Sequence, residues 1–152
     1  MKALLKLIVV AALGLAAYGV YATVTPPKHL YFISHSFGGC PPRPACVSSR
    51  ATDDPHRVAA LGYTGDPNTA YTMLREVVER EGGKIQHESP DYIHAVFVTP
   101  RLKLRDDVEM LILPDGGRID VRSVSRFGYD DFGRNRERVE KLRQGFEAIP
   151  KP

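Results

Sequence analysis

Residues 118–140 read RIDVRSVSRFGYDDFGRNRERVE, and the fold turns on how this stretch is divided. From Arg118 to Ser125 apolar and polar residues alternate, the period of a strand with one buried face. Gly128 breaks the pattern. Beyond Gly133, Val139, Leu142, Phe146 and Ile149 recur at helical spacing, with Asn135 placed to cap the helix and Pro150 to end it. The stretch carries six arginines, Arg118, Arg122, Arg126, Arg134, Arg136 and Arg138, against five acids.

Residues 106–113, DDVEMLIL, form the preceding strand, and Pro114-Asp115-Gly116-Gly117 is a tight-turn sequence joining the two into a hairpin. Setting Leu113 opposite Arg118 pairs Leu111 with Asp120, Glu109 with Arg122, and Asp107 with Val124. One face then carries Val108, Met110, Ile112, Ile119, Val121, Ser123 and Ser125, the core side. The other gathers Arg105, Asp107, Glu109, Arg118, Asp120, Arg122 and Arg126. A one-residue slip would invert both faces, so the register matters.

Further upstream, Asp66 caps a helix with Pro67 at its first position. Ala70, Leu74, Val77 and Val78 share one side of it, and Gly82-Gly83 ends it. Lys84–Glu88 and Tyr92–Thr99 read as strands. His94, alternating with Tyr92, Val96 and Val98, reads as a satisfied strand histidine rather than a ligand. The pattern predicts a single α+β domain over residues 57–150. Its centre is a four-stranded antiparallel meander with two helices on one face.

Residues 25–56 lack periodicity and are dense in breakers around GGCPPRPAC, so they read as an irregular Pro/Gly-rich arm. Cys40 and Cys46 are the only cysteines. A disulfide between them, worth about 2 kcal/mol on the chain-entropy model, is the simplest reading for an exported chain. A metal site of Cys40, Cys46, His35 and His56 has a spacing longer than a zinc knuckle uses. A Cys46 nucleophile with His56 as base has nothing in sequence to bring the pair together.

Residues 1–24 place Lys2 and Lys6 before an uncharged run, LIVVAALGLAAYGVYATV. This predicts an apolar helix that is either a cleaved signal peptide or a single-pass anchor. Both readings put the rest of the chain on the outer, periplasmic side of the membrane, or secreted. Without those two lysines the formal charge falls to 19 basic against 18 acidic residues. That leaves no net basic surface for nucleic acid.

Between Leu104 and Glu140 arginine is used and lysine is not, which suits planar, bidentate pairing. Arginines at a helix start also oppose the macrodipole, so the arrangement calls for an anion. Arg122, Arg126, Arg134, Asn135, Arg136 and Arg138 are therefore the candidate ligand-binding residues, with Asp107, Glu109, Asp130 and Asp131 as paired carboxylates. The expected partner is an anionic small molecule, a lipid headgroup or an envelope protein. The alternatives are a hydrolase using Asp107 and Glu109 with a histidine, and an assembly module whose arginines pair with its own acids. No Gly-rich phosphate loop, nucleophile elbow or His–Glu metal motif occurs, so the sequence nominates no catalytic residue, metal or cofactor.

CPPRPACVSS with Asp54 and His56, then DDVEM, then RSVSRFGYDDFGRNRERVE resemble the bacterial and plastid family of domains of unknown function 1499 (DUF1499) over about residues 38–146. Matching motif positions are Cys40, Cys46, Ser48, Ser49, Asp107, Glu109, Arg122, Ser123, Ser125, Arg126, Asp130, Asn135 and Arg138. Ala45 stands where the family usually has Asn, and Met110 where it has an aromatic residue. The resemblance implies no particular reaction.

Overall fold

A computed structural model describes residues 2–149. Pro150, read as the stop of the last helix, lies outside the described residues. An apolar helix, α1 (Lys2–Val24), is followed by one helical turn, α2 (Tyr31–Ser34), and two short strands, β1 (Cys46–Ser48) and β2 (Leu61–Gly62). Helix α3 (Pro67–Arg80) precedes four longer strands, β3 (Lys84–Ser89), β4 (Tyr92–Val98), β5 (Arg105–Leu113) and β6 (Arg118–Ser125). Helix α4 (Arg134–Glu147) closes the fold.

The class is α+β. Strands β3 to β6 form the expected antiparallel meander, but the sheet has six strands, not four. Both β1 and β2 pair with β6, at residues 122–124 and 118–119. Bare, the outer edge of β6 would expose unpaired backbone groups. Two short segments with no strand period of their own cover it, which is why a pattern search passes over them. The hairpin register is the expected one: Leu113 faces Arg118, Glu109 faces Arg122 and Asp107 faces Val124. Its turn is a 3-10 turn, Pro114–Gly116, followed by Gly117 at φ +55°. A Cβ on Gly117 would lie 2.6 Å from the Tyr63 carbonyl oxygen, so glycine is required there.

Helix α3 begins as read, with the Asp66 carboxylate accepting from Thr69 N–H at 2.9 Å, and Gly82 at φ +88° follows its end. Both α3 and α4 pack on one sheet face, joining Leu74, Val77, Val139, Leu142 and Phe146 to Ile93, Met110, Ile119 and Val121. The opposite face is also covered. Leu30 is fully buried, and Phe37, Tyr31 and Phe32 pack with Tyr92 and Leu111. The arm is therefore a third layer supplying α2 and β1, and the charged face of the hairpin lies beneath it.

Candidate functional site

Because β5 and β6 are paired in that register, four carboxylates on two strands each meet their own arginines. Glu109 accepts four hydrogen bonds: Tyr31 N–H at 2.7 Å, Tyr92 hydroxyl at 2.8 Å, Arg122 Nε at 2.7 Å and Arg122 Nη2. Arg122 also donates to the carbonyls of His29, at 2.9 Å, and Gly39, at 3.2 Å. Burial, then the adjacent Glu109 charge, pushes the Tyr92 hydroxyl up, so it stays a neutral donor.

Asp107 receives Arg126 as a two-pronged fork, Nε to Oδ2 at 2.8 Å and Nη2 to Oδ1 at 2.7 Å, and faces His94 Nε2 at 2.8 Å. Burial alone would raise its pKa, but the His94 and Arg126 hydrogen bonds outweigh it and hold the carboxyl below its ordinary value. An ionised Asp107 can only accept, so Nε2 of His94 carries the proton and Nδ1 points away from this pair. That Nδ1 is buried and has no partner among the described residues. Asp120 likewise sits below its ordinary value. Burial opposes this, and hydrogen bonds from Arg50, Arg118 and Ser49 prevail.

On the helix side of the sheet, Asn135 lies within the first turn of α4 and is not its cap. Gly133 occupies the N-cap position, and Asp131 Oδ2 accepts from Asn135 N–H at 2.6 Å. The macrodipole thus meets an acid, Asp131, from the preceding loop. The Asn135 amide is buried and bridges three elements, bonding Ser123 and Ser125 of β6 and the Ala45 carbonyl beside β1. Arg138 bonds Asp106 at 2.6 Å and stacks over Phe97 at 5.0 Å. Arg136 grips the carbonyls of Arg57 and Pro55. Arg134 is the exception: its buried Nε has no partner among the described residues. Asp130 accepts from the Phe132 N–H at 2.7 Å, an interaction inside its own loop.

Cys40 and Cys46 form a disulfide, with Cα atoms 5.6 Å apart. Neither sulfur is then available as a thiolate for a metal or a nucleophile. The cross-link draws Gly38 and Gly39 over Arg122, close enough that a Cβ on Gly38 would lie 3.2 Å from Nη1.

A cavity of about 500 Å³ opens on the arm side, between the end of α1 and the β3 edge of the sheet. Lys84, Arg105, Arg126 and His94 line it with Val24, Pro26, Phe32, Gln86, Val96 and Val98. Asp107 lies directly behind Arg126 and His94. Neither Lys84 nor Arg105 has a carboxylate partner among the described residues. No serine, threonine or cysteine lines the cavity, and Glu109 is sealed elsewhere beneath the arm. Sequence gives Lys84 no role and Arg105 only a place on the charged face of the hairpin. They lie on separate strands, and no local motif joins them. The available signal was the basic end residue of each strand, which carries no weight until the sheet is assembled.

Residues 36–146 match the family described as Protein of unknown function (DUF1499). The chain belongs to this family. The matched span of this DUF1499 protein takes in the disulfide, the sheet and most of α4, and leaves out α1 and the first part of the arm. No curated protein matches the chain.

Proposed function

We propose that this DUF1499 protein is a non-catalytic domain of the cell envelope, exported and held at the membrane by α1, that binds an anionic group in the cavity beside the end of that helix. The observation that carries the reading is the charge balance there. Lys84, Arg105 and Arg126 line the cavity with no acid among the lining residues, and Asp107, behind them, is taken up by Arg126 and His94. A phosphate or carboxylate there would pair with Lys84 and Arg105, which hold no carboxylate among the described residues. Export is supported by the disulfide and by the lysines at the start of an apolar helix.

The site differs from the one nominated from sequence. Of Arg122, Arg126, Arg134, Asn135, Arg136 and Arg138, only Arg126 faces this cavity. Arg122 and Arg138 are paired with Glu109 and Asp106, Asn135 is internal, and Arg136 is engaged with backbone. Those pairs favour a second reading, an assembly module whose arginines only hold its own layers together.

Titration of the full chain in detergent with millimolar inorganic phosphate separates the two. Phosphate also stabilises proteins non-specifically by exclusion from their surfaces. The informative comparison is therefore with a Lys84→Ala/Arg105→Ala variant, whose substituted side chains hold no ion pair in the fold. A rise in unfolding temperature that saturates and disappears in the variant supports the binding domain. An equal rise in both proteins leaves the assembly module.

A further inference from the structure

Strand β4 ends, β5 begins and β6 ends at the same end of the sheet, since Val98 faces Arg105 and Asp106 faces Ser125. Two loops project there, residues 99–104 and 126–133, and α1 leaves from the same place. Arg126 donates to the carbonyls of Thr23, at 3.3 Å, and Val24, at 3.0 Å. The Phe127 ring lies 3.9 Å from where a Cβ on Gly19 would be. Gly19 is five residues before the helix end, about 7.5 Å along its axis. Phe127 therefore sits level with the last turns of the apolar helix, not below it.

The large apolar side chains left in solvent by the folded body concentrate in these loops: Phe132 is 90% exposed, Leu102 73% and Tyr129 72%. Phe132 is also held outward at a cost. It has φ +54°, a region a bulky residue rarely occupies. Asp130 accepts from its N–H, and Asp131 accepts from Gly133 and Asn135 just beyond it. A backbone fixed this firmly to put a phenyl ring in water needs a partner for the ring. The other loop places Arg101 and Lys103 on either side of Leu102 and contains no acid. The two loops are neighbours, for Arg134 lines a hollow with Thr99, Pro100 and Leu102.

We infer that this end of the domain is seated on the bilayer that α1 enters, with Phe127, Phe132 and Leu102 in the interfacial layer and Arg101 and Lys103 against anionic headgroups. The occupant follows from continuity. Helix α1 is 23 residues long, about 34 Å, enough to cross a hydrocarbon core of about 30 Å. It carries Tyr18 and Tyr21 near the end that meets the domain, where aromatic residues collect at a membrane boundary. Loops packed against that end share its depth. Basic residues flanking an apolar tip match the surface of a bilayer containing acidic lipid. The inference rests on the reading of α1 as a membrane anchor and is independent of anion binding in the cavity.

The chain contains no tryptophan, so single substitutions report on depth without background. The full chain is reconstituted into vesicles of phosphatidylethanolamine and phosphatidylglycerol with acyl chains brominated near the headgroup in one set and near the chain end in another, and three variants are compared. Leu13→Trp probes the middle of α1. Phe132→Trp probes the proposed surface. Asp115→Trp probes the exposed turn at the opposite end of the sheet. The expected result is blue-shifted, quenched emission for Phe132→Trp and unquenched emission for Asp115→Trp. Quenching of Leu13→Trp without quenching of Phe132→Trp overturns the seating and leaves the anchor intact. No quenching of Leu13→Trp overturns both. Equal quenching of Phe132→Trp and Asp115→Trp overturns the seating in favour of a domain with no preferred orientation.

Discussion

Glu109 and Arg122 face each other across β5 and β6 with almost no exposure, 0% and 2%, and the arm that seals them is hydrogen-bonded to both. The pair is thus the floor on which the arm is laid. Tyr31 N–H binds the carboxylate, and the carbonyls of His29 and Gly39 bind the guanidinium. Backbone groups of the arm that neither α2 nor the β1 ladder satisfies are bonded to an ion pair instead.

Removing one member of that pair leaves a buried charge and several orphaned backbone groups. Arg122→Ala and Glu109→Ala are each expected to lower unfolding free energy by about 3–5 kcal/mol. The double Glu109→Ala/Arg122→Ala replacement is expected to cost less than the sum of the two single changes, because it leaves no lone charge. Urea denaturation of the four proteins measures this. Strict additivity would show that the pair does not act as a unit.

The disulfide closes the arm over the same pair. Reduction, or Cys40→Ser with Cys46→Ser, is expected to cost up to about 2 kcal/mol, less than loop closure alone predicts because prolines already restrict the segment. It is also expected to expose the arm to protease ahead of the sheet and helices. Limited proteolysis with and without reductant reads this directly, and a cleavage pattern unchanged by reductant would contradict it.

Acid sensitivity follows from Asp107. Its pKa is lower in the folded protein than its ordinary value of 3.8. Its contribution is therefore complete above that value and is lost as pH falls through the folded one. Asp107→Asn is expected to be less stable at neutral pH by about 3 kcal/mol, since Arg126 loses its buried counter-charge. The same variant is expected to lose stability less steeply in acid. Asp120, shifted in the same direction, keeps some of the slope. Denaturation curves from pH 7 to about pH 2 test the sign.

Two adjacent residues in the loop before α4 are expected to behave oppositely. Asp131→Ala removes the acceptor for Asn135 N–H and Gly133 N–H and is expected to cost about 1 kcal/mol or more, as loss of a helix cap does. Phe132→Ala deletes a ring that packs against nothing in the fold and is expected to change stability by less than about 0.5 kcal/mol in detergent. Thermal denaturation of both distinguishes a residue that builds the loop from one the loop presents.

Much of this architecture can be read along the chain. Hydrophobic periodicity and the Pro-Asp-Gly-Gly turn determine the hairpin register, and that register alone brings Glu109 opposite Arg122. Asp66-Pro67 and Gly82 delimit α3 for reasons internal to a few residues. Asn135 was misread as a cap because cap geometry and a buried amide look alike in sequence. What separates them is the presence of Ser123, Ser125 and Ala45 around the side chain, contributed from far along the chain.

Local sequence by itself determined the four meander strands, the two packing helices, the apolar N-terminal helix and the segregation of charge to one face of the hairpin, because each depends on period or on near-neighbour chemistry. Tertiary structure decided what that charge does. Only the fold lays an irregular arm across the charged face, turning a row of arginines into internal ties. Only the fold gathers Lys84, Arg105, Arg126 and His94 around one cavity. Residues on separate strands and in the loop after β6 meet only when long-range packing fixes their separation, and no spacing along the chain encodes that distance.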